Sequence, residues 1–212
     1  MHILSANIWF PPIEDAMEDG LLAIGGDLSV ERLILAYQKG IFPWYDGDTP
    51  LWWSPDPRFV LMPDDLIISK SMKQVLKKKY FEFKVNTAFA EVIHQCKIQP
   101  RAGQDGTWIT NGMESAYNTL HQMGIAWSAE TWQNDQLVGG LYGIRMGNLF
   151  FGESMFSMVS NASKFAFIQL VHQLKKEGVV LIDCQVYTDH LASLGATMIS
   201  RTQFKDYLDK HL

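Results

Sequence analysis

Residues 126–156 have the sequence AWSAETWQNDQLVGGLYGIRMGNLFFGESMF, and this stretch decides the fold of the chain. Its apolar and aromatic segments are separated by Asn-Asp at 134–135 and by Gly-Asn at 147–148. Asn, Asp and Gly tolerate the positive φ angles that tight hairpin turns require. The stretch therefore predicts an antiparallel meander of three strands, at residues 126–132, 137–145 and 149–156.

Helical and strand patterns alternate after this meander. Asn161 is placed to cap a helix with Phe165 and Ile168 on its apolar face, and Gly178 is placed to end it. We then predict a strand at 179–185, a helix at 189–194, a strand at 197–200 and a helix at 202–208. Such an order predicts a mixed sheet with helices on its faces. It resembles the GNAT acyltransferase fold, a resemblance of architecture and not of chemistry.

Upstream of the meander the patterns are mostly helical. We predict a strand at 59–62 ended by Pro63, a helix at 69–79, a helix capped by Asn86, and a helix capped by Asn111 and ended by Gly124. Nearer the N-terminus, Ser29 is placed to cap a helix that Gly40 ends. The Gly- and Pro-rich stretches 20–27 and 40–58 predict ordered loops.

Three tryptophans, Trp44, Trp52 and Trp53, lie within the second of these stretches. Large aromatic side chains in a loop are either buried or available to a ligand. Trp52 and Trp53 therefore belong either to a small hydrophobic core or to a ligand site, and the sequence favours neither.

The content of charged residues and of proline changes near residue 58. Residues 1–60 contain nine acidic and three basic residues, a net charge of −6, whereas residues 61–212 contain fourteen acidic and fifteen basic residues, a net charge of +1. Six of the eight prolines lie between Pro11 and Pro57. We therefore predict an α+β protein, with a small N-terminal domain at residues 1–58 and a GNAT-like mixed-sheet domain at residues 59–212.

The composition excludes several classes of protein. A hydrophobic share of 47% and a charged share of 19% can fill a core and are not those of a disordered chain or a coiled coil. The net charge of −5 argues against a generally basic, nucleic-acid-coating surface. No apolar run approaches the ~18–20 residues of a membrane span, and the first residues, MHILSAN, lack the features of a signal peptide. We expect a cytoplasmic protein with no membrane partner.

Cofactor and metal motifs are not found in the sequence. Cys96 and Cys184 form no CxxC pair and the six histidines form no HxxxH pattern, so we expect reduced thiols and no metal site. Residues 157–164 (SMVSNASK) lack the glycines of the GNAT acetyl-CoA loop, and no P-loop or Rossmann fingerprint is present. Bound CoA, ATP or NAD is therefore not expected.

The predicted strand at 179–185 ends in two polar residues. Alternation places Asp183 and Gln185 on one face and Ile182 and Cys184 on the other. The C-terminal end of a central strand is where ligands of α/β proteins commonly bind. The alternative for Asp183 is to cap the helix that follows.

Glu153 lies on the third strand of the meander, where alternation places Phe151, Glu153 and Met155 on one face. A carboxylate among apolar neighbours is costly to bury without a partner. Glu153 therefore meets a cation or lies at an open site, unless it is a solvated charge at the edge of the sheet.

Five lysines lie between residues 70 and 79, and no acidic residue lies between Asp65 and Glu82. Lys70, Lys73 and Lys77 share one face of the predicted helix. A solvated helix face and a phosphate-binding surface both explain this pattern.

Nine blocks of the sequence resemble the leucyl/phenylalanyl-tRNA–protein transferase family. They are 20–29 (GLLAIGGDLS), 36–44 (AYQKGIFPW), 51–58 (LWWSPDPR), 107–109 (TWI), 137–143 (LVGGLYG), 151–157 (FGESMFS), 161–164 (NASK), 181–185 (LIDCQ) and 193–196 (SLGA). The blocks occur in order over nearly the whole chain. The chain departs from many members of the family at Trp127, where they have His, and at Met158, where they have Arg.

The resemblance implies an enzyme that moves Leu, Phe or Met from aminoacyl-tRNA to proteins beginning with Lys or Arg, which marks them for degradation by the bacterial N-end rule pathway. It implies an apolar cavity for the donor side chain and the terminal adenosine, lined by Tyr37, Trp44, Trp108, Leu141, Phe150, Met155, Phe167 and Ile182. It also implies that Lys70, Lys73, Lys77 and Lys78 contact tRNA.

The resemblance further implies how the transfer occurs. Asp183 polarises Gln185, Gln185 orients the incoming α-amine at the ester carbonyl, and Glu153 attracts the cationic end of the acceptor. Aminolysis of an activated ester requires no ATP, metal or other cofactor, so the enzyme acts mainly by positioning the reactants.

Two other classes compete with this interpretation. A GNAT acetyltransferase would need the pyrophosphate-binding loop that residues 157–164 lack. A non-catalytic RNA-binding module would use the lysine face and would not depend on Asp183 or Gln185.

Overall fold

The structure is a computed structural model in which residues 1–99 and 109–212 are described. It contains a four-stranded sheet and a seven-stranded sheet, with helices packed against both. The prediction of an α+β protein with a small N-terminal part and a mixed sheet is confirmed.

The smaller sheet is built from four short strands in the order β1-β2-β4-β3. They are β1 (His2–Leu4), β2 (Leu21–Gly25), β3 (Phe42–Pro43) and β4 (Leu51–Trp53). β1 is parallel to β2, and the other pairs are antiparallel. Helix α1 (Val30–Gln38) connects β2 to β3.

The larger sheet contains the predicted meander and has the order β11-β5-β10-β9-β8-β7-β6. Its strands are β5 (Arg58–Leu61), β6 (Glu82–Val85), β7 (Ala126–Gln133), β8 (Gln136–Met146), β9 (Leu149–Ser157), β10 (Leu181–Gln185) and β11 (Thr197–Ile199). β9 and β10 are parallel and every other pair is antiparallel, so the sheet is mixed.

Helices cover both faces of this sheet. They are α2 (Lys70–Lys77), α3 (Phe89–Ile98), α4 (Asn111–Gln122), α5 (Ala162–Lys176), the short α6 (Asp189–Ala192) and α7 (Arg201–His211). The neighbouring residues Phe150 and Phe151 belong to two different hydrophobic clusters, because side chains alternate along β9. The cluster of Phe151 includes α3 and α4, and the cluster of Phe150 includes α5.

The N-terminal part shares its core with the larger sheet. Leu22 and Trp52 of the small sheet belong to the same buried cluster as Tyr142 of β8 and Phe204 of α7. We predicted a domain boundary between residues 58 and 59, and β5 includes residues on both sides of it. That boundary stays a prediction.

The expectation of loops at 20–27 and 40–58 is wrong in part. These stretches contain β2, β3 and β4, which are too short for a clear period of alternation and pair mainly through their main chains. Trp52 is fully buried, and its Nε1 donates to the carbonyl of Gly25 at 2.8 Å, so this tryptophan belongs to a small core. Strand β6 has no counterpart among the predicted elements.

The predicted helix at 69–79 forms as α2, with the Ser69 hydroxyl accepting from the main-chain N–H of Met72. The helix caps that we predicted at Asn111, Asn161 and Ser29 are wrong in detail. Thr110 caps α4, so Asn111 is its first residue. Asn161 and Ser29 occupy N-cap positions, but neither side chain accepts a capping hydrogen bond.

Helix α3 begins at Phe89, and Asn86 does not cap it. Asn86 lies at φ +60°, and its Oδ1 accepts from the main-chain N–H of Ser128. The carboxylate of Glu130, on β7, accepts from the N–H groups of Thr87 and Ala88 at 2.8 Å each. Glu130, more than forty positions along the chain, therefore accepts the hydrogen bonds that fix the backbone just before α3.

Candidate active site

A cavity of about 510 Å³ lies at the C-terminal end of β10. β8, β9, α5 and α6 contribute to its wall, and Phe42 and Trp44 reach it from the N-terminal part. The volume is typical of sites for small molecules, which run from about 300 to 1,000 Å³. Glu153, Asp183 and Gln185 all line this cavity, so the structure brings the three predicted polar residues together.

Most of the residues that we expected to form an apolar pocket also line the cavity. These are Trp44, Leu141, Met155, Phe167 and Ile182. Tyr37 and Phe150, each with about 1% of its surface exposed, do not line it. Trp108 lies outside the described residues.

A β-bulge sets the position of Glu153. In the pairing of β8 with β9, Tyr142 lies opposite Ser154 but Gly143 lies opposite Gly152, so Glu153 is the extra residue. Bulges bend a strand and redirect a side chain, and they are common next to active sites.

The bulge also changes which residues of β9 share a face. Phe151 belongs to the cluster that includes α3, whereas Met155 packs against the cluster that includes α5. The expectation that Phe151, Glu153 and Met155 share a face is therefore wrong. Strict alternation fails because one additional residue lies between Phe151 and Met155.

Three neutral donors hold the carboxylate of Glu153. The hydroxyl of Tyr37 donates to Oε1 at 2.8 Å, and the hydroxyl of Tyr117 donates to Oε2 at 3.2 Å. The side-chain amide nitrogen of Gln185 donates to Oε1 at 2.9 Å. The two phenol oxygens are also in hydrogen-bond contact. Glu153 is thus neither a solvated edge charge nor paired with a cation among the described residues.

This setting brings Glu153 close to neutral titration. Burial raises the pKa of Glu153 to about 7, while hydrogen bonds from Tyr37, Tyr117 and Gln185 offset part of this rise and the charge of Asp183 adds to it. Burial and the Glu153 charge raise the pKa of Tyr37 and of Tyr117 well above the ordinary value of 10. Both phenols therefore remain protonated donors at neutral pH.

Asp183 is committed to a buried ion pair. Arg58 Nε donates to its Oδ1 at 2.8 Å, and Arg58 Nη2 donates to its Oδ2 at 2.6 Å. A two-point contact of this kind is strong and directional. Asp183 does not cap the following helix, since the side chain of Thr188 does so.

Gln185 adopts a left-handed backbone conformation, with φ +65°, where the pairing of β10 with β5 changes register. Such a conformation costs on the order of 1–3 kcal/mol in a residue other than glycine. Asp183 Oδ1 accepts from the main-chain N–H of Gln185 at 2.9 Å. The contact expected between these residues is present, but it fixes the backbone while the side chain turns to Glu153.

All four residues from Ile182 to Gln185 line the cavity, although we expected Ile182 and Cys184 to face away from Asp183 and Gln185. The irregular backbone at Gln185 breaks the alternation on which that expectation rested. Burial raises the pKa of the Cys184 thiol well above its ordinary value, so this thiol stays protonated.

Other lining residues were missed from the sequence. Ser163 comes from α5, and Thr188 and His190 from the segment after β10. Burial and the nearby charge of Lys164 lower the pKa of His190. Its Nε2 is buried without a hydrogen-bond partner in the described part of the chain. A single histidine in no motif gives no sequence signal for this position.

The predicted lysine face is exposed. Lys70, Lys73, Lys77 and Lys78 are all solvent-accessible, while Met72 on the opposite side of α2 is buried. In the described ranges, no acidic group forms an ion pair with these four lysines. The surface is therefore positively charged and available to an anionic partner.

Residues 1–99 and 109–212 contain neither a metal-binding cluster nor a membrane-spanning helix. No group of three or more His, Cys, Asp or Glu residues there could hold a metal ion. No helix in those ranges has the length and apolar character needed to cross a membrane.

Comparison with known proteins identifies the family. A GCN5-related N-acetyltransferase from Kribbella flavida aligns with a TM-score of 0.39 and 8% identity, over 79% of this chain and 60% of that chain. Proteins named leucyl/phenylalanyl-tRNA–protein transferase are 56% identical in Flavobacterium johnsoniae and 57% in Azotobacter vinelandii. These alignments cover 98% and 97% of this chain, and 99% and 92% of the relatives. The model of the leucyl/phenylalanyl-tRNA protein transferase family matches residues 60–209, and the model of its N-terminal domain matches residues 26–56. The chain therefore belongs to the leucyl/phenylalanyl-tRNA–protein transferase family.

Proposed function

We propose that this enzyme transfers Leu, Phe or Met from aminoacyl-tRNA to the N-terminus of proteins that begin with Lys or Arg, and so marks them for N-end rule degradation in the cytoplasm. One observation carries the proposal: a single cavity joins an apolar wall to the polar group of Glu153, Asp183 and Gln185. Membership of the family supports the aminoacyl donor.

The apolar wall suits the donor side chain. Trp44, Leu141, Met155, Phe167 and Ile182 offer hydrophobic surface, and the Met and Leu side chains can adapt to unbranched or γ-branched shapes. In a pocket of this kind, one misplaced methyl group on the donor weakens transition-state binding by about 1–3 kcal/mol. We therefore expect Leu, Phe and Met to be used well and Val and Ile poorly.

The chemistry is aminolysis of the ester that links the amino acid to tRNA. The acceptor nitrogen forms a bond to the ester carbon, and the bond from that carbon to the ribose oxygen breaks. Because the ester is already activated, the reaction needs no cofactor. Gln185, with its backbone held by Asp183 and its amide nitrogen directed to Glu153, has its amide oxygen left to accept from the incoming amine.

The acceptor end of the cavity is polar and acidic. Glu153 supplies negative charge for a cationic Lys or Arg terminus once it is ionised. Met158 is half exposed, and the indole nitrogen of Trp127 donates to the carbonyl of Gly124. These two departures from the family pattern do not line the cavity, and they are the positions at which we expect the acceptor preference to differ.

The lysines on α2 would bind the tRNA backbone. Lys70, Lys73 and Lys77 are exposed on α2, and Lys78 is exposed directly after it. Clustered lysines neutralise phosphates and release their counterions. Local charge of this kind is compatible with a net charge of −5 for the whole chain.

The direct test is a transfer assay with purified protein. Leucyl-, phenylalanyl-, methionyl-, valyl- and isoleucyl-tRNA are each incubated with peptides that begin with Lys, Arg or Ala, and products are identified by mass spectrometry. We expect Lys and Arg peptides to gain one residue of Leu, Phe or Met, and Ala peptides to remain unchanged.

Two glutamine variants distinguish an effect at the candidate site from an effect of glutamine replacement elsewhere in the protein. We expect Gln185→Ala to reduce the transfer rate by at least tenfold, and Gln136→Ala, at an exposed position on β8, to leave it unchanged. Absence of transfer from every charged tRNA would contradict the proposed function.

A further inference from the structure

Three separate elements of the fold converge on Glu153. Tyr37 comes from α1, Tyr117 from α4 and Gln185 from β10, with oxygen or nitrogen atoms 2.8, 3.2 and 2.9 Å from the carboxylate. Both phenols are buried and neither lines the cavity, so they do not contribute to its surface. Their polar atoms are directed at a carboxylate that does line it.

This arrangement is unusual for a buried carboxylate. Burying a carboxylate is costly, and a cation usually compensates for its charge. The buried guanidinium of Arg58 is instead engaged at two points with Asp183. Within residues 1–99 and 109–212, Glu153 is therefore held by hydrogen bonds alone, with burial and Asp183 opposing its ionisation. Such a group gains and loses a proton near neutral pH.

Other groups at the cavity are less suited to accept a proton. Asp183 already accepts two hydrogen bonds from Arg58 and one from the Gln185 main chain. The Gln185 amide is not a base at neutral pH, and the Cys184 thiol stays protonated. His190 is the remaining rival, since its pKa is lowered and it is neutral at pH 7.

We propose that Glu153 accepts the proton of the attacking α-amine, and that Tyr37 and Tyr117 are positioning residues that hold this carboxylate in place and keep it ionisable. The proposal rests on the proposed transfer function and adds the proton acceptor to it. Among the described residues Oε2 accepts only from Tyr117, so it retains a lone pair for the substrate proton.

The proton transfer balances without another reactant. The amine nitrogen uses its lone pair to form the bond to the ester carbon, and its proton passes to Glu153. The bond from carbon to the ribose 3′-oxygen then breaks, and this oxygen takes the proton from Glu153 as it leaves as a hydroxyl. The carboxylate is regenerated, so the same group serves as base and then as acid.

The pH dependence of single-turnover transfer tests the proposal. In the described part of the chain, the titratable groups that face Glu153 are Tyr37, Tyr117 and Asp183, the last with Arg58 behind it. Because the phenol hydrogen bonds favour the charged form, their removal makes the carboxyl harder to ionise. We expect Tyr37→Phe and Tyr117→Phe each to move the rising limb of the pH–rate profile to higher pH by about half to one unit.

Each tyrosine variant should accordingly lose rate at pH 6.5 and recover most of it at pH 9. The α-amine of the acceptor also titrates near this range, but it is the same in every reaction, so a shift between variants belongs to the enzyme. We expect Glu153→Gln to slow transfer by about a hundredfold or more at all pH values. Tyr207→Phe, on α7, is the matched control and should give the wild-type profile.

Three results would overturn the proposal. One is a uniform loss of rate in both tyrosine variants with no shift of the limb, which would indicate a purely structural role. Another is a Glu153→Gln enzyme within threefold of wild type. The third is a flat profile in His190→Asn, which would assign the proton acceptor to His190. Should Glu153→Gln fail to fold, the two tyrosine variants still decide the question. Absence of transfer by the wild-type enzyme would instead remove the proposed function itself.

Discussion

Arg58 and Asp183 form an ion pair in which both side chains are about 1% exposed. The Arg58 guanidinium lies 4.7 Å from the ring centroids of both Phe42 and Phe204. Phe42 belongs to the small sheet and Phe204 to the last helix, while Asp183 holds the main chain of Gln185. The pair therefore connects the N-terminal part, the C-terminal helix and the backbone of the candidate active site.

Replacement of Arg58 should be strongly destabilising. Arg58→Leu leaves the Asp183 carboxylate buried without its partner, so we expect the free energy of unfolding to fall by about 3–5 kcal/mol. Arg58→Lys keeps the charge but cannot form the two-point contact, and we expect a smaller loss. Urea denaturation measures both. The control is Lys205→Ala, which breaks an exposed ion pair with Glu14 and should leave stability close to wild type.

Glu130 should make the protein sensitive to acid. Burial by itself raises the pKa of Glu130, but hydrogen bonds from Thr87, Ala88, Ser128 and Trp132 outweigh burial and lower it below the usual 4.5. A lowered folded pKa stabilises the protein above the unfolded value, and this contribution is lost as pH falls through the folded value.

We expect Glu130→Gln to lower the free energy of unfolding at pH 7 by about 1–3 kcal/mol, because the amide cannot accept all of these hydrogen bonds. Denaturation curves from pH 7 to pH 3 should show the gap between wild type and Glu130→Gln narrowing below pH 4.5. A gap that stays constant with pH would contradict this account.

Gly139 sets the distance between β8 and α5. A Cβ at this position would lie 2.5 Å from the Cβ of Ala162 and 2.9 Å from its carbonyl carbon. We expect Gly139→Ala to destabilise the fold by about 1–3 kcal/mol and to slow transfer, since α5 carries Phe167 into the cavity. At Gly112 on α4 a methyl group meets only ordinary contacts, the nearest at 3.5 Å. Gly112→Ala should therefore leave thermal stability unchanged or raised.

Hydrophobic periodicity predicted the elements that are long enough to show a period. The strands of the meander and the helices α2, α5 and α7 each contain eight or more residues, so their apolar positions repeat often enough to be recognised. β1 and β3 contain three and two residues, and what holds them is the main-chain pairing with β2 and β4. No pattern of side chains encodes such pairing, so the small sheet was missed.

The candidate site was predictable in its residue types and not in its geometry. Strand patterns alone predict Asp183, Gln185 and Glu153 as site residues, and all three line one cavity. The bulge at Glu153 and the left-handed Gln185 interrupt the regular alternation from which their directions were inferred. Tyr37 was assigned to the pocket wall, whereas its hydroxyl binds Glu153 from the core side. Contacts between residues 116 positions apart lie beyond any local rule.

Charge reversal on α2 should weaken tRNA binding specifically. We expect the Lys73→Glu, Lys77→Glu double variant to bind tRNA at least tenfold more weakly and to show a shallower dependence of affinity on salt. Filter binding between 50 and 300 mM salt measures both. The Lys39→Glu, Lys210→Glu double variant makes the same change in net charge at exposed positions after α1 and on α7, and it is the control for net charge. Equal weakening by both would assign the effect to overall charge and not to the α2 surface.

Glu153 should reduce stability at the pH where it is ionised. Its folded pKa of about 7 lies above the usual 4.5, so between these values the folded protein retains a proton that the unfolded chain has released. Stability therefore falls as pH rises from 4.5 to 7, whereas the contribution of Glu130 rises with pH.

Glu153→Gln cannot ionise, and at pH 8 we expect it to be more stable than wild type by about 2–3 kcal/mol. Urea denaturation at pH 8 and pH 4.5 measures the difference, which should nearly vanish at the lower pH. If the variant is less stable than wild type at pH 8, the carboxylate contributes to the stability of the fold and the prediction is wrong. If it is more stable but transfers more slowly, the charge of Glu153 serves the reaction and lowers the stability of the fold.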